Sequence, residues 1–262
     1  MTTHLRDDKF IISCAARTGS TLLERLLRSH PDILCHGEIM QPGEVGPMRG
    51  PLRDMRKETD AVEDPLFRYL SEKPAIFLYD IVFDAHGSLA VGFKFKTDEA
   101  FDARFPHINR VSDIIGGDPD IKVIRLRRRD LLAQYISHEV VMRQTRQTYI
   151  ETGQERPVAK PFAADPAAVA RYCLDVTFRE QRASKMFRNH RQLHVDYEEL
   201  TDSASDVQAR LCEFLGVPAR GLTTDTERVL PDSRRLLENA DEVIAALELI
   251  GFPDGRYPRH LR

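Results

Sequence analysis

The 262-residue chain carries 38 Lys and Arg against 41 Asp and Glu, a net charge of −3 that excludes general affinity for nucleic acid. No apolar run approaches the roughly 20 residues a bilayer span needs, and the polar start Met1–Lys9 is unlike a secretory signal, so a cytoplasmic protein is expected. The four cysteines are scattered without a C-x-x-C pair and read as reduced, buried thiols, and the length suits one α/β domain over residues 1–262.

In chain order, Phe10–Ala15 is a short apolar run with β-branched residues and predicts a buried strand. The turn-forming residues 16–20 follow. A helix is then predicted over Thr21–Ser29, with Leu22, Leu23, Leu26 and Leu27 on one face and His30-Pro31 as its stop. Ile33–His36 predicts a second strand ending at Gly37-Glu38. Residues 40–66, rich in Pro, Gly and charge, read as a long excursion suited to a lid or acceptor-side segment. Val91–Lys96 and Ile121–Leu126 predict two further strands, the latter running into a helix over Asp130–Val141. Residues 145–164 read as a loop. Asp165 and Pro166 supply the N-cap and first position of a long helix reaching about Asn189. Leu193–Asp196 predicts a last strand, and helices are expected near 203–215 and 233–250. Strands separated by helices imply a parallel sheet with right-handed crossovers.

The first strand-to-helix turn, Ala16-Arg17-Thr18-Gly19-Ser20-Thr21-Leu22, carries the clearest chemistry. A strand turning tightly into a helix leaves N–H groups unpaired beside the positive end of the helix dipole. Gly19 permits close backbone approach, Thr18, Ser20 and Thr21 add hydroxyls, and Arg17 adds a fixed charge, which together make a phosphate cradle. Neither G-x-x-x-x-G-K-[ST] nor G-x-G-x-x-G occurs, so a Mg²⁺-bridged triphosphate is not the expected ligand. A second basic feature is I-K-V-I-R-L-R-R-R over 121–129, whose arginines stand at the carboxyl end of a parallel strand, where open α/β sheets bind ligands. Arg129 at the helix start and Ser137 two turns on can face one cleft and hold a second phosphate.

With these residues the chain resembles the sulfotransferase superfamily that uses 3′-phosphoadenosine 5′-phosphosulfate, and within it the bacterial carbohydrate enzymes of the nodulation-factor and trehalose type. Arg17-Thr18-Gly19-Ser20-Thr21-Leu22 matches the family's 5′-phosphosulfate loop. Arg129 and Ser137 keep the eight-residue spacing of its 3′-phosphate signature. Ser29-His30-Pro31, Cys35-His36-Gly37-Glu38, Gly92-Phe93-Lys94, Tyr197-Glu198-Glu199-Leu200 and Phe214-Leu215-Gly216-Val217-Pro218 follow in order. The resemblance implies a P-loop-like three-layer α/β/α fold with a parallel sheet of about five strands. It also implies the nucleotide as co-substrate, no metal, and a hydroxyl-bearing acceptor such as a glycan, glycolipid or small metabolite. The late Arg-Lys-Gly nucleotide motif of animal cytosolic enzymes is missing, so the adenine contacts do not carry over; Arg234 and Arg235 are the weak candidates.

Sulfuryl transfer needs in-line geometry and charge stabilisation more than covalent help. Arg17 and the turn N–H groups would meet charge developing on the leaving 5′-phosphate. The acceptor hydroxyl needs a general base. The resemblance gives that role to Glu38; His36 competes, because a neutral imidazole accepts a proton near pH 7, and Lys94 is a further candidate for neutralising the sulfate. A nucleoside or sugar kinase using the same turn, and a catalytically silent nucleotide-binding protein, are the alternatives.

Overall fold

The computed structural model describes residues 8–40, 65–202, 204–227, 230 and 233–258; most of the excursion expected at 40–66 lies outside them. Five parallel strands form the central sheet: β1 (Asp8–Cys14), β2 (Ile33–Glu38), β3 (Ala90–Lys96), β4 (Lys122–Arg127) and β5 (Gln192–Asp196), in the order β2-β3-β1-β4-β5. Strand β1 is central, pairing Ile11 with Phe93 of β3 and Ile12 with Ile124 of β4. It is covered on both faces, which is why Phe10–Ile12 at its centre are consecutively apolar rather than alternating.

Successive side chains of β1 feed two different cores. Phe10, Ile12 and Cys14 pack with Leu23, Leu26 and Leu27 of helix α1 (Ser20–Arg28) and with Leu211 and Leu215 of the Ala204–Leu215 helix. Ile11 packs on the opposite face with Phe93, Phe95, Val111, Ile115 and Phe187. A third cluster joins the helices Leu131–Val140, Pro166–Met186 and Ala240–Leu249. The predicted Ser-His-Pro stop is structural: Ser29 Oγ donates to Leu26 O at 2.7 Å, and the buried His30 ring bridges Pro218 O (2.9 Å) and the Asp32 N–H (3.1 Å).

Several expectations need revision in detail. The long helix ends at Met186 rather than near Asn189, and the 233–250 helix resolves into a 3-10 turn, Ser233–Leu236, and a helix over Ala240–Leu249. A twelve-residue helix, Pro106–Gly117, was not expected. Its buried face is only Ile108, Val111, Ser112 and Ile115, and Pro106 at its start satisfies the preference for proline in a first turn. Among the described residues no helix is long and apolar enough to cross a membrane.

Candidate active site

The turn after β1 is built from its own backbone outward. Arg17 has φ 64° and Gly19 φ 83°, so two left-handed residues reverse the chain within a few positions. Thr18 Oγ1 donates to Ala15 O at 2.8 Å, and this buried hydroxyl is therefore spent on the turn rather than offered to a ligand. The Ala16 peptide is held from both sides: its N–H donates to Asp98 Oδ1 at 3.2 Å and its carbonyl accepts from Gln134 Nε2 at 2.8 Å. Gly19 is required twice over. L side chains rarely adopt its φ, and a Cβ there would collide with the Tyr197 ring.

Gly19 is also the N-cap of α1, and no side chain caps that helix end or places an acidic group in its first turn. Its leading N–H groups and the positive dipole end therefore open toward a cavity of about 490 Å³. Arg17, Gly19, Ser20, Thr21 and Leu22 form one wall; Arg128, Ser137 and Tyr197 adjoin it, and Thr148, Tyr149 and Thr226 also line the cavity. Arg17 joins these segments, donating through Nε to Ser137 Oγ at 3.1 Å and through Nη1 to Thr148 O at 3.0 Å. Burial, then repulsion from Arg128, lowers its pKa. Arg128 lies 4.8 Å from the Tyr197 ring centroid and reaches Arg17 O at 3.4 Å. Two guanidinium groups brought side by side at an uncapped helix start make a built anion site.

The lining segment at Tyr149 is pinned to α1 by Arg25. Its guanidinium pairs with Asp225 at 2.5 Å and Glu151 at 3.1 Å and lies 4.6 Å from the Tyr149 ring. The loop expected over 145–164 thus contains a two-residue strand, Ile150–Glu151, paired antiparallel with Thr226–Glu227.

Arg129 is not brought into the cavity lining. Its Nε lies 3.5 Å from both Asp196 Oδ2 and Glu198 Oε2, and its backbone N–H donates to Glu198 Oε2 at 3.1 Å. Strand β4 ends at Arg127, and in the turn beyond it the Arg129 side chain folds back to Asp196 and Glu198. Arg127 and Arg129 both turn toward Asp196, and Arg128 between them points the other way. Arg125 is buried against Glu180 at 2.8 Å, while Arg234 is held by Asp130 (3.0 Å) and Asp254 (2.7 Å), so both have structural partners.

Glu38 lies at the end of β2, 3.0 Å from Lys94 Nζ and 3.7 Å from Lys96 Nζ. Burial alone would raise its pKa, but the two ammonium groups outweigh it and hold the carboxyl below its ordinary value. Lys94 is buried, yet Glu24 and Glu38 keep its pKa above the usual lysine value against desolvation. Lys94 also reaches Thr21 Oγ1 at 3.5 Å and so connects Glu38 to the turn after β1. His36 is placed differently. It is 1% exposed, its Nε2 sits 3.0 Å from Val82 O, and burial pushes it down to about 4. The ring is neutral at pH 7 but enclosed; His36, Glu38 and Lys94 all lie outside the cavity lining, which Lys94 reaches through Thr21.

Sequence reasoning missed Arg128, the structural pair Asp98 and Gln134, and the lining residues Thr148 and Tyr149. No local pattern marks Thr148 and Tyr149, which arrive through contacts more than a hundred residues away along the chain, such as that of Arg17 with Thr148.

A profile of the sulfotransferase family matches residues 9–221, and the chain belongs to that family. No curated protein matches it. Among solved structures, the sulfotransferase domain from the Synechococcus PCC 7002 olefin synthase is 17% identical, with 92% of this chain and 94% of that chain covered and a TM-score of 0.53. A sulfotransferase from Alicyclobacillus acidocaldarius is 19% identical over 97% and 98% of the two chains, with a TM-score of 0.49. The sulfotransferase domain from the curacin biosynthetic pathway is 18% identical over 81% and 75%, also at 0.49. At these identities the likeness to the olefin synthase domain shows the fold alone: a five-strand parallel sheet flanked by helices.

Proposed function

From membership of the sulfotransferase family, we propose that this enzyme moves the sulfuryl group of 3′-phosphoadenosine 5′-phosphosulfate, by in-line displacement, onto a hydroxyl of a carbohydrate, glycolipid or small metabolite. The observation that carries this reading is the convergence of an uncapped helix start, Arg17 and Arg128 on one cavity. In this assignment the 5′-phosphosulfate lies on the turn, where the N–H groups of Gly19 to Leu22 and the hydroxyls of Ser20 and Thr21 surround it. Arg17 exchanges its bond to Ser137 for the charge that grows on the leaving phosphate. Ser137 and Arg128 take the 3′-phosphate, with Arg129 as a neighbour that anchors the strand end to Asp196 and Glu198.

Transfer forms a bond between the acceptor oxygen and sulfur, breaks the bond from sulfur to the bridging oxygen, and leaves 3′-phosphoadenosine 5′-phosphate. The acceptor proton goes to the Glu38 carboxylate. Its lowered pKa makes it a weak base, which suits proton transfer that follows lengthening of the bond to the leaving group. His36 is not given this role, because its ring is enclosed against Val82. Lys94, between Glu38 and Thr21, supplies positive charge on the sulfuryl side. A cytoplasmic setting belongs to the same proposal and is supported by four free, buried cysteines.

Incubating the protein with radiolabelled sulfate donor and a panel of glycans, glycolipids and small alcohols tests this. Label should appear on a hydroxyl-bearing acceptor without added metal. Tight nucleotide binding with no transfer to any acceptor would favour a silent nucleotide-binding protein, and Mg²⁺-dependent transfer from ATP would favour a kinase.

A further inference from the structure

Helix α1 carries a buried carboxylate that the reaction as drawn leaves unused. Glu24, one turn beyond Ser20, is 5% exposed. Its Oε1 accepts from Arg28 Nη1 at 2.7 Å, and its Oε2 lies 2.8 Å from Lys94 Nζ. The three protons of the Lys94 ammonium thus have three oxygens to meet: Glu24 at 2.8 Å, Glu38 at 3.0 Å and Thr21 at 3.5 Å. The backbone is fitted to this arrangement. Gly37, which turns the chain into Glu38 at φ 78°, is packed so closely on Glu24 that a Cβ there would stand 3.1 Å from Oε1.

We infer that Glu24 is a positioning residue for sulfuryl transfer, holding the Lys94 ammonium between two carboxylates so that one charge serves the base Glu38 and the phosphate turn together. The inference rests on the reading of Glu38 as the base. With Glu24 neutral, the Lys94 charge falls on Glu38 alone, the carboxylate becomes a weaker proton acceptor, and the ammonium is drawn away from Thr21. Glu38 and Lys94 are faced by Thr21, Glu24 and Arg28 from α1, by Lys96 from β3, and by Asp98 and Glu99, which lie 4.0 and 3.9 Å from Lys96 Nζ. Cys14 and Cys35, pushed up to about 12 by burial, stay neutral through the range concerned. His36 on the same strand, held down to about 4, gains its charge in the same acid range as Glu38, so the shift is read as the difference between variant and wild type, in which the His36 charge is common.

The test uses full-length protein labelled at the glutamate side-chain carboxyl carbons, with the Glu38 signal assigned from Glu38→Gln. In Glu24→Gln the Glu38 titration should move to lower pH, and kcat for the acceptor found in the panel should fall on the order of tenfold. The Kd for 3′-phosphoadenosine 5′-phosphate should stay within about twofold, because Glu24 is outside the cavity lining. Should Glu24→Gln fail to fold, Glu24→Asp keeps the charge but draws it back from both Arg28 and Lys94, and the Glu38 titration should move in the same direction by a smaller amount. An unmoved Glu38 titration in a folded variant overturns the role of Glu24. Full turnover by Glu38→Gln overturns instead the reading beneath it, so the two failures are distinct.

Discussion

Replacing Arg128 and Arg129 one at a time separates the geometry of the site from the pattern of the sequence. Arg128 lines the cavity, over the Tyr197 ring and beside Arg17, whereas Arg129 is 41% exposed on its side chain and faces Asp196 and Glu198. A hydrogen bond to a charged group contributes about 1.5–3 kcal/mol when one partner is removed. Arg128→Ala should therefore weaken 3′-phosphoadenosine 5′-phosphate binding by about 10- to 100-fold. The stacking on Tyr197 adds about 0.5–1 kcal/mol of order in the free protein, and this is also lost. Arg129→Ala removes two half-buried ion pairs of 3.5 Å while Arg127 stays 3.6 Å from Asp196, so it should cost on the order of 1 kcal/mol of stability and leave the Kd within about twofold. Calorimetric titration at one fixed salt concentration measures both, since phosphate contacts are salt-dependent. A tenfold loss in Arg129→Ala together with unchanged binding in Arg128→Ala would refute the assignment.

Glu38→Gln should lower kcat by about 10²- to 10⁴-fold, the range of a general base, with nucleotide Kd nearly unchanged; unchanged turnover in a steady-state assay removes Glu38 from the mechanism. Gly19→Ala should cost at least about 1 kcal/mol in chemical denaturation and weaken nucleotide binding, because its φ of 83° and the Tyr197 ring both exclude a Cβ; a variant as stable and as tight-binding as wild type contradicts the packing described. Acid stability should depend on His36, which burial holds at about 4 in the folded state against an unfolded value of 6.5. Between those values the unfolded chain binds more protons, so the contribution is present above pH 6.5 and is lost as pH falls toward 4, by about 3 kcal/mol. Urea unfolding of His36→Leu across that window should show a shallower loss than wild type, and equal slopes would contradict it.

How much of this was legible depended on whether the signal was local. The β1 strand and the phosphate turn were readable because FIISCA is apolar on both faces and because Gly19 and the hydroxyl residues sit together in the sequence. The Pro106–Gly117 helix was not, since its core stripe is narrow and its other positions are polar. The arginine run suggests an anion site but not which arginine would serve it; the spacing to Ser137 points to Arg129, whereas it is Arg128 that lines the cavity, from the turn beyond the end of β4. Ser137 itself was expected apart from the turn, yet its hydroxyl meets Arg17 directly at 3.1 Å. His36 was attractive as an imidazole near a glutamate, but sequence alone could not show it closed in against Val82. Lys94 read as a strand end, and only the fold reveals it as the ammonium shared by Glu24 and Glu38.

A crystal structure with 3′-phosphoadenosine 5′-phosphate bound tests the central claim most directly. The account predicts the 5′-phosphate on the N–H groups of Gly19 to Leu22 beside Arg17, and the 3′-phosphate within hydrogen-bond distance of Arg128 and Ser137. A nucleotide bound elsewhere, or one whose 3′-phosphate leaves Arg128 and Ser137 untouched, would contradict it.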